Sequence, residues 1–174
     1  MILGLDISTS ITGVTVLDEN GKTLCCKAWD LRKYKNFFEK TKETQRKLRE
    51  LKTAYPDIES VYIEQSLQSF RPGFSSAKTL LTLARFNGIV SWLVYEMFYI
   101  EPGYIGASTA RKLYGIKVPR GQKAKKVVLE FLLDNEEGFE IEYTKYGNPK
   151  PESYDRADSL VIARAGYQLC NKKN

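Results

Sequence analysis

Two rhythms alternate along the chain, one of period two and one of period three to four, and their order predicts an architecture. The opening stretch Ile2-Leu-Gly-Leu-Asp-Ile-Ser8 alternates as a strand. It is followed by a short Ser/Thr turn, a second strand through Leu17, a turn at Asn20-Gly21 and a third strand. We place these strands at about 1–8, 11–18 and 22–30. Residues 35–54 have helical periodicity, with Phe38, Leu48 and Leu51 among the inward candidates. The mixed Lys, Arg and Glu on the other face read as a solvated surface rather than a DNA contact. Tyr55-Pro56-Asp57 breaks that helix, and Ser60-Val-Tyr-Ile-Glu-Gln65 reads as a fourth strand.

A polar loop over 66–75 leads into a helix at about 76–98 that is apolar around most of its circumference, as expected of a packed central helix. A fifth strand is expected at 99–104, then a short helix capped by Ser108 or Thr109 and ending at Leu113. After a turn-rich connector at 115–121 come a helix at 122–133, an irregular excursion over 134–154 and a last helix at 154–169. The order β-β-β-α-β-α-β-α-α-α predicts an α/β fold: a mixed five-stranded sheet flanked by helices, in one domain spanning 1–174.

Composition narrows the chemistry. The chain has 174 residues and not one histidine, which removes His-based triads, His-ligated zinc and His general bases. Any catalysis must rest on carboxylates, Lys, Tyr or metal. Three cysteines (Cys25, Cys26, Cys170) match no zinc spacing and suit a reducing compartment; of the adjacent pair, one is expected in the core and one on the surface. No apolar run reaches the ~20 residues of a membrane span, and Met1 leads almost directly into strand sequence, so a cytoplasmic location is expected. The net charge of +6 is a mild pointer to a polyanionic partner.

Carboxylates stand where propensity alone would not put them. Asp6 lies inside the first strand, on the face of Ile2, Gly4 and Ser8, and burying it costs several kcal/mol unless a cation or donors compensate. Glu64 closes the fourth strand, and strand ends are where α/β sheets expose functional groups. Asp155 and Asp158, three apart at the start of the last helix, share a face that Ile162 continues toward the sheet. Singly, each has a plain structural explanation: a strand-end Asp, a salt-bridged Glu, two acids favoured by a helix N-terminus. Together, four acids aimed at one sheet would repel unless divalent cations held them, and an all-oxygen ligand set selects Mg²⁺ or Mn²⁺.

The ordered set Gly4-Leu-Asp6, Ile63-Glu64-Gln65, Ala84-Arg-Phe-Asn-Gly88, Ala110-Arg-Lys112, Gly121-Gln-Lys123 and Asp155-Arg-Ala-Asp158-Ser-Leu resembles the RuvC-type Holliday junction resolvases of the RNase H-like superfamily. The resemblance covers almost the whole chain. It implies a metal-binding tetrad of Asp6, Glu64, Asp155 and Asp158 holding two Mg²⁺ ions (Mn²⁺ able to substitute). It also implies a homodimer that nicks four-way DNA junctions symmetrically. Lys123 resembles the family's basic residue near the scissile phosphate, with Lys112 a second counterpart at a different spacing.

The chain departs from the pattern in the loop after Glu64. There Leu67 falls nearest the expected junction-stacking aromatic, while Phe70 and Phe74, beside Arg71, are shifted along a longer loop. The 134–154 excursion is also long for the family, and both departures are similar to phage- or virus-encoded variants. Candidate DNA contacts are therefore Phe70, Arg71, Phe74, Arg111, Lys112, Arg120, Lys123 and Lys125. Three other functions stay open at this point. They are an RNase H-like nuclease on other branched DNA or RNA–DNA hybrids, an inert junction binder, and an actin-like-fold kinase suggested by Gly4-Leu-Asp6-Ile-Ser-Thr-Ser10. The kinase lacks a second Gly-rich phosphate loop in this chain.

Overall fold

The computed structural model describes residues 1–65 and 77–172. Ten elements follow in the expected order: β1 (Ile2–Asp6), β2 (Ile11–Leu17), β3 (Thr23–Asp30), α1 (Phe37–Ala54), β4 (Ser60–Glu64), α2 (Ala77–Phe98), β5 (Gly103–Ile105), α3 (Ala107–Leu113), α4 (Ala124–Asn135) and α5 (Pro151–Asn171). The five strands form one mixed sheet in the order β3-β2-β1-β4-β5. The first three are antiparallel, joined by short turns, whereas β1, β4 and β5 run parallel and need helical crossovers.

Each sheet face is covered. Leu3, Leu5, Val14 and Val16 point to one side, where they meet Leu48 and Leu51 of α1 and Phe86, Val90, Leu93 and Val94 of α2. The opposite side carries α5 with α3 and α4 around Leu160, Ile162, Val128 and Leu132. On that side the β-strands present small residues. A Cβ on Gly4 would lie 2.6–2.7 Å from Ala163 and Ser159, and one on Gly13 would lie 1.9 Å from the Asp155 carbonyl oxygen. Gly166 of α5 receives the Tyr62 ring in the same way, with 2.2 Å between a built Cβ and the ring. The hydroxyls of Thr15 and Ser159, both fully buried, share a 2.9 Å hydrogen bond that fixes the helix's register on the sheet.

Several boundaries differ from expectation, for local reasons. The fifth strand starts at Gly103, not 99. Tyr99 takes a left-handed φ of 58° as α2 ends, and Pro102 has no N–H for the ladder. Gly106, without a side-chain cap, precedes α3, so neither Ser108 nor Thr109 serves as its cap. The last helix begins three residues early because Pro151 occupies its first turn, where a missing N–H costs nothing. The excursion before it contains a small hairpin closed by a Tyr143–Pro149 bridge. Phe38 is 78% exposed; Phe37 is the residue that packs against the core. Cys26 is not on the surface either: it accepts a hydrogen bond from Thr15 and donates to the Arg156 carbonyl, beneath α5. All three cysteines are free thiols.

The glycine seat makes a direct prediction. Gly13→Ala puts a methyl against the backbone of α5, which cannot yield as a flexible side chain could, and overpacking of this kind costs about 1–3 kcal/mol. Thermal unfolding should show a lowered melting temperature for Gly13→Ala. Within the chain the contrast is Gly88, where nothing lies within 4 Å of a built Cβ.

Candidate active site

Strand register brings the first two acids together. In the parallel β1–β4 pair Gly4 stands beside Tyr62 and Leu5 beside Ile63, so the next residues, Asp6 and Glu64, end adjacent strands side by side. Gly4 and Tyr62 both meet α5, and alternation puts Asp6 and Glu64 on that same face. Asp6 is cross-strand partner to Gly13, and Gly13 is where the Asp155 turn of α5 rests on the sheet. The missing side chain at Gly13 is thus what admits Asp155 and Asp158 to the carboxylate edge. Neither is explained by the helix dipole, because with α5 starting at Pro151 its first turn carries Glu152 instead.

The electrostatics follow from this crowding. Burial pushes the Asp6 carboxyl well above its ordinary range, and Glu64, Asp158 and Asp155 push it further; Lys125 offsets part of this. Burial and Asp158 raise Glu64 to about 7, against Lys125 and Arg111. Asp155 is raised to about 6, chiefly by burial, and Asp158 is raised by burial despite Lys125 and Arg111. Among the described residues the cation paired with this cluster is Lys125 of α4, with Nζ 3.6 Å from Asp158 Oδ2. Burial works against its charge, yet the field of the four acids holds its pKa above the usual lysine range.

Lys123, which the resemblance placed near the reacting phosphate, is the exposed N-cap residue of α4, two residues before Lys125. Arg111 acts on Glu64 and Asp158 from α3, while Lys112 and Arg120 are exposed nearby in the chain. Phe70, Arg71 and Phe74 lie outside the described residues. The sequence reading passed over two supporting groups. The glycine at mid-strand, Gly13, was a legible sign of close backbone approach. The largely buried Asn87 of α2 donates to the Glu64 carbonyl at 3.4 Å, which no local pattern announces. In the β1–β2 turn the Ser8 hydroxyl is engaged locally: its Oγ accepts from the Ser10 and Ile11 amides and donates to the Ile11 carbonyl. For Ser8 this is a local turn role.

Among the described residues no three Asp, Glu, Cys or His side chains are already grouped to hold a metal ion. The donor chemistry nevertheless fits a hard divalent cation. Among the described residues the candidate ligands are oxygen donors only, and their pKa values are raised first by burial and, for Asp6, Glu64 and Asp155, by neighbouring acids as well, a state that a bound cation would relieve.

Comparison with solved structures agrees with the architecture. The structure of Thermus thermophilus RuvC in complex with a Holliday junction substrate matches at a TM-score of 0.69 and 15% identity, covering 98% of this chain and 94% of that one. A second T. thermophilus RuvC structure matches at 0.63 and 18%, covering 99% and 96%. The yeast mitochondrial Holliday junction resolvase Ydc2 matches at 0.61 and 16%, covering 99% of this chain and 80% of that one. No family model matches the sequence, and neither does any curated protein. The chain therefore has the RuvC-type, RNase H-like fold. Its divergence from these structures is large, and only the fold is carried by the likeness.

The raised carboxylates set a pH signature. A group whose pKa is higher in the folded than in the unfolded protein holds its proton to higher pH when folded, so stability falls as pH rises between the two values. Without metal, the melting temperature should fall as pH rises from about 4 to about 7, the span of the Glu64 and Asp155 shifts. Asp6→Asn, by removing one of four repelling charges, should melt higher than wild type at pH 7.5 in EDTA, by ~2–4 °C per kcal/mol relieved. A melting temperature that does not change over this pH range would contradict the repulsion.

Proposed function

We propose that this protein is a Mg²⁺-dependent, structure-selective endonuclease that resolves four-way DNA junctions. The observation that carries the reading is the convergence of Asp6, Glu64, Asp155 and Asp158 at the end of β1 and β4, with Lys125 against them. The likeness to a RuvC bound to a Holliday junction supports the choice of substrate. Asp6, Glu64, Asp155 and Asp158 would hold two Mg²⁺ (or Mn²⁺) ions. Bound there, such ions would supply Lewis-acid charge and lower the pKa of a water so that it could lose its proton and attack a phosphodiester as hydroxide.

The chain's own groups do the rest. Lys125 neutralises part of the carboxylate field and is placed to meet the charge that grows on the phosphate oxygens. Arg111 adds positive potential from α3. Lys112 in the last turn of α3, and Arg120 and Lys123 on the segment leading to α4, are exposed and serve as phosphate contacts that position the duplex arms.

Paired nicks need two sites related by a two-fold axis, and we assign the dimer contact to α2. Its outer face exposes Leu81, Trp92 and Tyr95, with Ala84 and Gly88 between them, and the Trp92 and Tyr95 ring centroids lie 5.8 Å apart. No helix among the described residues is long and apolar enough to cross a membrane. We place the protein in the cytoplasm, and its three free thiols support that compartment.

With labelled four-way junction, duplex and RNA–DNA hybrid as substrates, wild type should cut the junction in Mg²⁺ and not in EDTA, and Asp6→Asn should cut nothing. Preferential cutting of the hybrid would point to an RNase H activity, and binding without cutting to an inert junction protein. Lys125→Ala should lower single-turnover cleavage by about 10²–10³-fold. By contrast, Lys123→Ala should mainly reduce the salt slope of binding by about 1. For the dimer, Trp92→Lys should give a monomeric mass by light scattering and leave single unpaired nicks; a wild type that is itself monomeric overturns the assignment.

A further inference from the structure

Two adjacent phenylalanines at the start of α1 go opposite ways. Phe37 packs edge-on against the fully buried Phe86, with ring centroids 5.7 Å apart and planes at 77°. Phe38 stands edge-on against Phe37 at 5.8 Å and 86°, yet is 78% exposed. A lone exposed apolar side chain is ordinary, so exposure by itself carries nothing; position and charge do. β3 runs in the same direction as β1, since both are antiparallel to β2, so α1 begins at the sheet edge where Asp6 and Glu64 lie. Lys40, two residues on, donates to the Thr9 carbonyl at 2.5 Å and ties this turn of helix to the loop that leaves Asp6.

The surroundings are basic. Between residues 30 and 42 there are five Lys or Arg (32, 33, 35, 40 and 42) against two acids. Both acids are engaged: Asp30 with Arg32, and Glu39 with the Lys35 backbone N–H. Neither is paired with the Lys35 or Lys42 ammonium. Lys42 follows Phe38 by one helical turn and so shares its face, and Lys35 is exposed just before the Asn36 cap.

From this we infer that the first turn of α1 is a second nucleic-acid contact: Phe38 stacks on an unpaired base at the branch point, and Lys35 and Lys42 take the flanking phosphates. The contact rests on the branched-DNA reading above and adds to it. It comes from the α1–α2 side of the sheet, opposite the side that carries Lys125 and Arg111, so branched DNA crossing the carboxylate edge is gripped from both layers. A second copy of the chain is the poorer occupant. Two-fold symmetry would face this basic turn with itself, whereas the outer stripe of α2 is nearly uncharged.

The test uses a four-way junction with 2-aminopurine at the branch point, titrated with full-length protein in Ca²⁺ in place of Mg²⁺, beside a plain duplex. Phe38→Ala should weaken junction binding by about 5- to 150-fold, the equivalent of ~1–3 kcal/mol for one stacked base, with unchanged duplex binding and melting temperature. Phe38→Tyr should retain the affinity and the fluorescence change. The double variant Lys35→Gln, Lys42→Gln should reduce the salt slope by about 2. Wild-type binding with an indifferent Phe38→Ala overturns this contact and leaves the nuclease reading standing. A Phe38→Ala variant that loses oligomeric mass would make the turn a protein interface and overturns it as well. A wild type that binds no branched DNA defeats both readings.

Discussion

The seating of α5 directly on the backbone of β1 and β2 is the constraint on which the rest depends. A helix normally rides above a sheet on interdigitated side chains; here Gly4 and Gly13 remove them from the strands, and Gly166 receives a tyrosine ring from β4. Glycine in a strand costs about 0.5–1 kcal/mol relative to alanine, because more backbone freedom is lost on folding. The protein accepts that cost at two positions, and gains an approach close enough for Asp155 and Asp158 to share one field with Asp6 and Glu64. The Thr15–Ser159 hydrogen bond then sets which turn of the helix lies over Gly13. A slip of one residue would rotate both aspartates by ~100° about the helix axis and off the sheet edge.

Two buried charge clusters on the α5 side make an instructive contrast. Arg164 of α5 forks onto the Glu136 carboxylate, Tyr114 donates to the same carboxylate, and Arg164 also reaches the Gly21 carbonyl. Every partner is supplied by the chain, so this cluster is structural: it ties the ends of α3 and α4 to α5 and to the β2–β3 turn. In doing so it holds α4 where Lys125 overlooks the carboxylates. The tetrad is the opposite case. Among the described residues one ammonium lies close to it, with Arg111 acting from α3, and the four acids keep raised pKa values, so their charge is not fully balanced there. A buried charge imbalance is costly unless a ligand completes it, and that is the physical ground for reading the edge as a cation site.

Much of this was legible without coordinates. Alternation and turn residues were enough for all ten elements in order, because strand and helix periods are local properties of the chain. The four acids were legible too, as polar residues in positions that propensity would have given to others. Boundaries were less so: Tyr99, Pro102 and Pro151 moved element starts by three to four residues through backbone effects that a hydrophobic pattern does not register.

Relative placement belonged to the tertiary structure. The family resemblance pointed to Lys123, which caps α4, and only the fold shows that Lys125, half a turn further on, is the lysine paired with Asp158. Phe37 and Phe38 are identical in type and adjacent, and only packing against Phe86 decided which of them faces water. The chain by itself thus determined which elements form and which chemistry is possible, since both depend on residue type and short-range period. The fold decided which charges meet, because that depends on how closely one helix can approach a sheet.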